Sequence, residues 1–140
     1  MSGVKLLVVD DNEMNLMVIG QYFDNWKIQF DEAKNGLEAV ELVKKNQYDV
    51  VLMDLQMPIM DGYEAVKKIR SLGEEYISLP IIALSASVSN EVVARVTEHG
   101  MDDYLSKPFD PLDLYNKINT CCKNKSEPTQ ISEIKYQTSS

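Results

Sequence analysis

Histidine, cysteine and positive charge are scarce in this 140-residue chain. The one histidine, His99, stands at an expected helix C-terminus, a common structural place for it, and is left out of any site. The two cysteines, Cys121 and Cys122, are neighbours on an expected helix, where successive side chains diverge by about 100°. They make a poor disulfide and have no metal-binding spacing, so a reducing cytoplasm is the simplest home. Lys and Arg number 14 against 22 Asp and Glu, a formal net charge of −8. Nucleic-acid backbones are held by basic patches, so no direct nucleic-acid partner is expected. No uncharged apolar run approaches the roughly 18 residues of a membrane span. The first residues lack a signal-peptide layout, so neither an anchor nor a leader is expected. A composition of 44% hydrophobic and 26% charged residues fits one globular domain large enough to bury a core unaided.

What is present is a strict alternation of two periodicities. Residues 4–9 (Val-Lys-Leu-Leu-Val-Val) form a strand ended by Asp10-Asp11-Asn12. A helix over about 13–25 follows, with Leu16, Ile19, Gly20 and Phe23 on one face. Residues 28–33 read as a second strand, Asn35-Gly36 as a turn, and 37–46 as a helix carrying Ala39, Val40 and Val43 inward. Val50-Val51-Leu52-Met53 is a continuous apolar run, suited to a central strand covered on both faces. Asp54 follows it directly, and Pro58 and Gly62 mark an irregular loop before a helix over about 62–72. Residues 73–79 are a polar connection and 81–84 a fourth strand, with Ser85-Ala86-Ser87 as a loop. Ser89 or Asn90 caps a helix to His99, and Gly100 ends it. Residues 103–106 make a last strand, and Asp110 caps a final helix with Leu114, Ile118 and Cys121 inward.

The fold class is therefore α/β, (βα)5, a five-stranded parallel sheet with helices on both faces and right-handed crossovers. The domain is expected to span residues 1–123, with 124–140 a solvated tail or linker. From Lys123 onward three lysines face two acids, so the net negative charge lies in the folded part. No output domain pattern follows, which leaves a stand-alone module or a piece of a longer chain as the expectation.

Chemistry gathers at the strand ends. The first strand ends in Asp10-Asp11, the third in Asp54, the fourth in Ser85 and the fifth in Lys107. In a parallel sheet these share one edge, where open α/β folds place their sites. Alone, Asp54 can be a turn cap, Ser85 a turn hydroxyl and Lys107 half of a surface ion pair; their joint placement favours a site. Three carboxylates at one edge repel unless a cation joins them. All-oxygen ligands without His or Cys point to Mg2+. Lys107 and Ser85 could then hold phosphoryl oxygens, with an ionised Asp as nucleophile.

At these residues the chain closely resembles the receiver domain of two-component response regulators. The matching features are Val9-Asp10-Asp11-Asn12, Met53-Asp54-Leu55 with Met57-Pro58 and Asp61-Gly62, Leu84-Ser85-Ala86 and Ser106-Lys107-Pro108-Phe109, within about residues 4–122. The resemblance implies a doubly wound, flavodoxin-like and CheY-like sheet in the order 2-1-3-4-5. It implies that Asp54 accepts the phosphoryl group. Asp11 would hold Mg2+ directly and Asp10 through water, with Asp54 and the backbone carbonyl of Gln56 completing the protein ligands. Ser85 would turn toward the phosphoryl oxygens, Lys107 would pair with phosphorylated Asp54, and Tyr104 would be the aromatic switch. It also implies a cis Lys107-Pro108 bond and a dependence of phosphoryl lifetime on Gln56 and Ser87. The implied donors are a sensor histidine kinase or a histidine phosphotransfer protein. A downstream protein would read the face over about residues 89–123, with Val88, Val92, Val96, Tyr104 and Tyr115 as contact candidates or core. The motifs lean toward receivers attached to hybrid histidine kinases, whose parent would be the enzyme; the module itself would promote only its own phosphorylation and dephosphorylation. Two rivals stand beside this: a degenerate receiver that binds proteins without phosphorylation, and a haloacid-dehalogenase-type phosphatase. The phosphatase wants a second Asp two residues after the nucleophile, where this chain has Gln56.

Overall fold

The computed structural model describes residues 3–87 and 89–124. Five strands, β1 (Lys5–Val9), β2 (Gln29–Ala33), β3 (Val50–Asp54), β4 (Ile81–Ser85) and β5 (Asp103–Ser106), alternate with six helices. The helices are α1 (Glu13–Trp26), α2 (Gly36–Lys45), α3 (Gly62–Arg70), α4 (Glu74–Ile77), α5 (Asn90–Glu98) and α6 (Pro111–Asn124). All strand pairs are parallel, in the order β2-β1-β3-β4-β5. Chain order 1 to 2 runs one way from the centre and 1 to 5 the other, so the switch point lies between β1 and β3. No described helix is long and apolar enough to cross a membrane.

The period of two along the central strands divides the core. Leu7, Val9, Val51, Met53, Ile81 and Ala83 face one layer, with Ala39, Val40, Ala65, Val66, Ile69 and Val96. Leu6, Val8, Val50, Leu52, Ile82 and Leu84 face the other, with Leu16, Ile19, Phe23, Leu114 and Ile118. Each apolar residue of β3 and β4 thus finds a helix, whichever way it points. Helix starts follow from side-chain caps: Asn12, Asn35, Asp61 and Ser89 accept from the backbone N–H three residues on.

Two local readings change, and a third is settled. Ser85 is the last residue of β4 rather than part of the loop after it. The connection expected over 73–79 contains the single helical turn α4. The turn is held from below by Arg70, whose guanidinium donates to the carbonyls of Tyr76 (2.7 Å) and Leu79 (2.6 Å) and, across the seam, of Gly100 (2.6 Å). Val96, for which contact and core both stood open, is 2% exposed and belongs to the core. Val88 and the tail beyond Asn124 lie outside the described residues.

Gly62 fixes the loop after β3. A Cβ there would lie inside van der Waals contact of the Asp54 carbonyl oxygen and 3.0 Å from the Leu55 Cα, both backbone atoms that cannot yield. The Gly62 N–H donates to the Leu55 carbonyl at 3.1 Å, which folds the loop back on the strand end. Gly62→Ala is expected to cost about 2–3 kcal/mol, as overpacking against rigid atoms does. Urea denaturation measures it; a midpoint equal to wild type would show that the loop moves freely.

Candidate functional site

Register alone brings the site together. Val9 pairs with Met53, so Asp10, next after Val9, lies level with Asp54. Asp54 pairs with Leu84, and Ser85 with Ser106, so Ser85 and Lys107 each follow one step beyond. The Lys107 N–H donates to the Ser85 carbonyl at 2.9 Å, extending the β4–β5 ladder into the site. These residues line a cleft of about 290 Å3 at the carboxyl edge of the sheet. A larger cleft, of about 680 Å3, opens elsewhere beside Lys5, Tyr48 and Tyr76, away from these strand ends. There the Asp49 carboxylate accepts the Lys5 N–H, and the Tyr48 hydroxyl donates to Asp31.

Asp10 is fully buried and Asp54 nearly so, whereas Asp11 is exposed. Ligand-capable oxygens of the three lie within 4.8 Å of one another. The Lys107 ammonium is 3.2 Å from both Asp10 and Asp54 and bridges them. Asp10 also accepts from the Asn12 N–H at 2.9 Å and the Asn15 amide at 3.2 Å. Asp54 has fewer donors, the Gln56 N–H at 3.4 Å among them. Burial, then the Asp10 charge, push its carboxyl up from 3.8 to about 6, against the pull of Lys107. Three carboxylates against one ammonium leave the cleft with excess negative charge, and a carboxyl this high is one whose ionised form lacks compensation.

The Ser85 hydroxyl donates to the Ser87 carbonyl and accepts the Ser87 N–H at 3.2 Å, closing a small turn. Gln56 and Ser87 are exposed at the cleft rim. The Lys107-Pro108 bond is cis. Tyr104 is half-buried on β5, packed on the core, with the Lys117 ammonium 5.5 Å from its ring centroid. Tyr115 packs edge-on to Trp26, and Val92 lines the cleft. Sequence reasoning left Asn15, Tyr63 and Arg95 out of the site, though all three line it. Asn15 was accessible in principle, since a residue one turn into a helix faces back toward the strand end before it. Nothing local marks Tyr63 and Arg95, because they meet only when α3 and α5 pack.

The chain's relatives bear on this arrangement. The model of the response regulator receiver domain matches residues 6–119. The peroxide stress-activated histidine kinase of Schizosaccharomyces pombe is 42% identical over 113 residues, 77% of this chain. The chain spans only 7% of that protein's length. Among solved structures, the receiver domain of a Pseudomonas aeruginosa sensor histidine kinase, with a magnesium ion coordinated in its active-site cleft, superposes with a TM-score of 0.80 at 32% identity. The match covers 86% of this chain and 98% of that one. A Saccharomyces cerevisiae response regulator's receiver domain, solved with a histidine phosphotransfer protein, gives 0.83 at 32% identity, covering 89% and 92%. With the family model over most of its length and a CheY-like sheet beneath the acidic cleft, this chain belongs to the response regulator receiver domains of two-component signalling.

Proposed function

We propose that this receiver is a working phosphoacceptor, with Asp54 as the residue that takes a phosphoryl group from a phosphohistidine donor. The observation that carries the proposal is the shared ammonium: Lys107 contacts both Asp10 and Asp54 at 3.2 Å, in a cleft where Asp54 is under-compensated. The Asp54 carboxylate attacks phosphorus, the bond from phosphorus to the donor imidazole breaks, and an acyl phosphate forms. Asp10, Asp11 and Asp54, with the Gln56 backbone carbonyl, supply the all-oxygen set that suits Mg2+. When bound, the ion neutralises the phosphoryl oxygens and the excess carboxylate charge. Lys107 swings from sharing its charge between two aspartates to holding a phosphoryl oxygen. Ser85 releases Ser87 by rotation and donates to another.

Phosphorylation adds roughly −1.5 to −2 charge at the end of β3. Ser85 and Lys107 stand at the roots of α5 and β5 and of the β5–α6 turn, so the new contacts bias the α5-β5-α6 face. Tyr104 is the switch side chain on that face, half-buried, and turns inward when Ser85 moves. A downstream protein reads this face in the cytoplasm, and the donor is a histidine kinase, in the same chain or another, or a phosphotransfer protein. Tyr104→Ala is expected to change the amide shifts that a phosphoryl mimic induces across α5, β5 and α6. Identical mimic-induced shifts in the variant and wild type would remove Tyr104 from the switch.

Acetyl phosphate with Mg2+ tests the function. A phosphoacceptor gains one labile phosphoryl group that Asp54→Asn abolishes. A phosphatase turns the donor over and accumulates nothing, and Gln56, in the place of a general acid, already speaks against that reading. A degenerate receiver stays unlabelled.

A further inference from the structure

Phosphoryl donors are anions, and the cleft they enter is acidic. Its ammonium, Lys107, is already divided between Asp10 and Asp54. Among the described residues, the one other basic side chain lining the cleft is Arg95, in the last turn of α5. It is exposed, and among the described residues no carboxylate pairs with it. Its guanidinium carbon lies 4.0 Å from the centroid of the Tyr63 ring. Tyr63 is a fixed platform: it is 8% exposed, in the first turn of α3, and lines the same cleft. His99 packs against the same ring at 4.8 Å, with its Nδ1 2.8 Å from the Arg95 carbonyl oxygen. Stacking occupies the face of a guanidinium and leaves its N–H edge free, so the group stays charged, positioned and able to bind an anion.

We propose that Arg95, parked on Tyr63, is the steering and positioning residue that draws the phosphoryl group of the donor into the acidic cleft. The proposal rests on Asp54 being the phosphoacceptor and adds the residue that admits the donor to it. Lys107 neutralises the resting carboxylates, whereas Arg95 is the cation left over for the incoming dianion. Because the guanidinium is exposed, its attraction is screened as salt is added.

The test uses the full chain with Mg2+ and acetyl phosphate, comparing wild type, Arg95→Met and Arg95→Lys. Arg95→Met is expected to lower the second-order labelling rate constant roughly three- to tenfold at low ionic strength. The difference shrinks at high salt, while the urea midpoint stays near that of wild type. Arg95→Lys keeps the charge but not the planar group held on Tyr63, and recovers part of the rate. Equal rates for wild type and Arg95→Met overturn the proposal. So does an Arg95→Lys rate as low as that of Arg95→Met, or a deficit indifferent to salt, since either assigns the effect to packing. A wild type that takes no label removes the phosphoacceptor reading itself, an outcome distinct from a labelled wild type matched by Arg95→Met.

Discussion

Replacing Lys107 with Met is expected to destabilise the metal-free protein at pH 7 by about 3 kcal/mol. The side chain is 18% exposed and bridges one fully buried and one nearly buried carboxylate. Removing it leaves two aspartates facing each other in a poorly solvated cleft, with only neutral donors from Asn12, Asn15 and Gln56. The loss is not the value of an ion pair but the cost of uncompensated buried charge. Two reversals follow. Millimolar Mg2+ should recover much of the lost stability, because a divalent ion in the acidic cluster replaces the missing charge. Asp54→Asn should stabilise the Lys107→Met protein without metal by more than it stabilises wild type, the excess being the Lys107–Asp54 coupling in a double-mutant cycle. Equal urea midpoints for wild type and Lys107→Met would mean that the bridge carries no net weight.

Asp54→Asn alone has the opposite sign. The Asp54 carboxyl is raised to about 6, chiefly by burial and then by Asp10. Between its ordinary value of 3.8 and about 6, the folded protein holds a proton that the unfolded chain has lost. Stability therefore falls as pH rises through that window, and the deficit is complete above it. The Asn variant has no such group. It should be more stable than the metal-free wild type at pH 7.5 by on the order of 2 kcal/mol, and the gap should close toward pH 4. Mg2+ should stabilise the wild type far more than the variant, and its affinity for the wild type should weaken below about pH 6, where a proton competes. Denaturation curves at several pH values, with and without Mg2+, read all of this. A variant that is less stable than wild type at pH 7.5 without metal would contradict the under-compensated carboxylate.

Such a carboxylate makes sense of a stability cost kept at the end of the central strand. It was also the residue most legible in the sequence. An apolar run that needs cover on both faces announces β3, and a carboxylate directly after it must emerge at the sheet edge. The same logic places Asp10, Ser85 and Lys107, since register in a parallel sheet is set by which side chains must be buried. The sequence does not carry what depends on packing between elements distant in the chain. α4 is one helical turn, too short for periodicity, and exists because Arg70 donates to the Tyr76 and Leu79 carbonyls. Arg70 itself reads as an ordinary charge at a helix end. Contact and core stay open for Val96 in the sequence because Val92 and Val93 share its short helix, yet of the three it alone is buried. Tyr63 and Arg95 lie 32 residues apart in sequence and meet only once α3 and α5 lie side by side.

The decisive chemical event is the bonding of phosphorus to a carboxylate oxygen of Asp54. The chain is incubated with acetyl phosphate and Mg2+, reduced with borohydride, which converts an aspartyl phosphate to homoserine, and mapped by peptide mass spectrometry. Homoserine at position 54 alone, absent when Mg2+ is withheld, is the expected result. Homoserine at another aspartate, or none at all in protein whose stability shows that Mg2+ has bound, contradicts it.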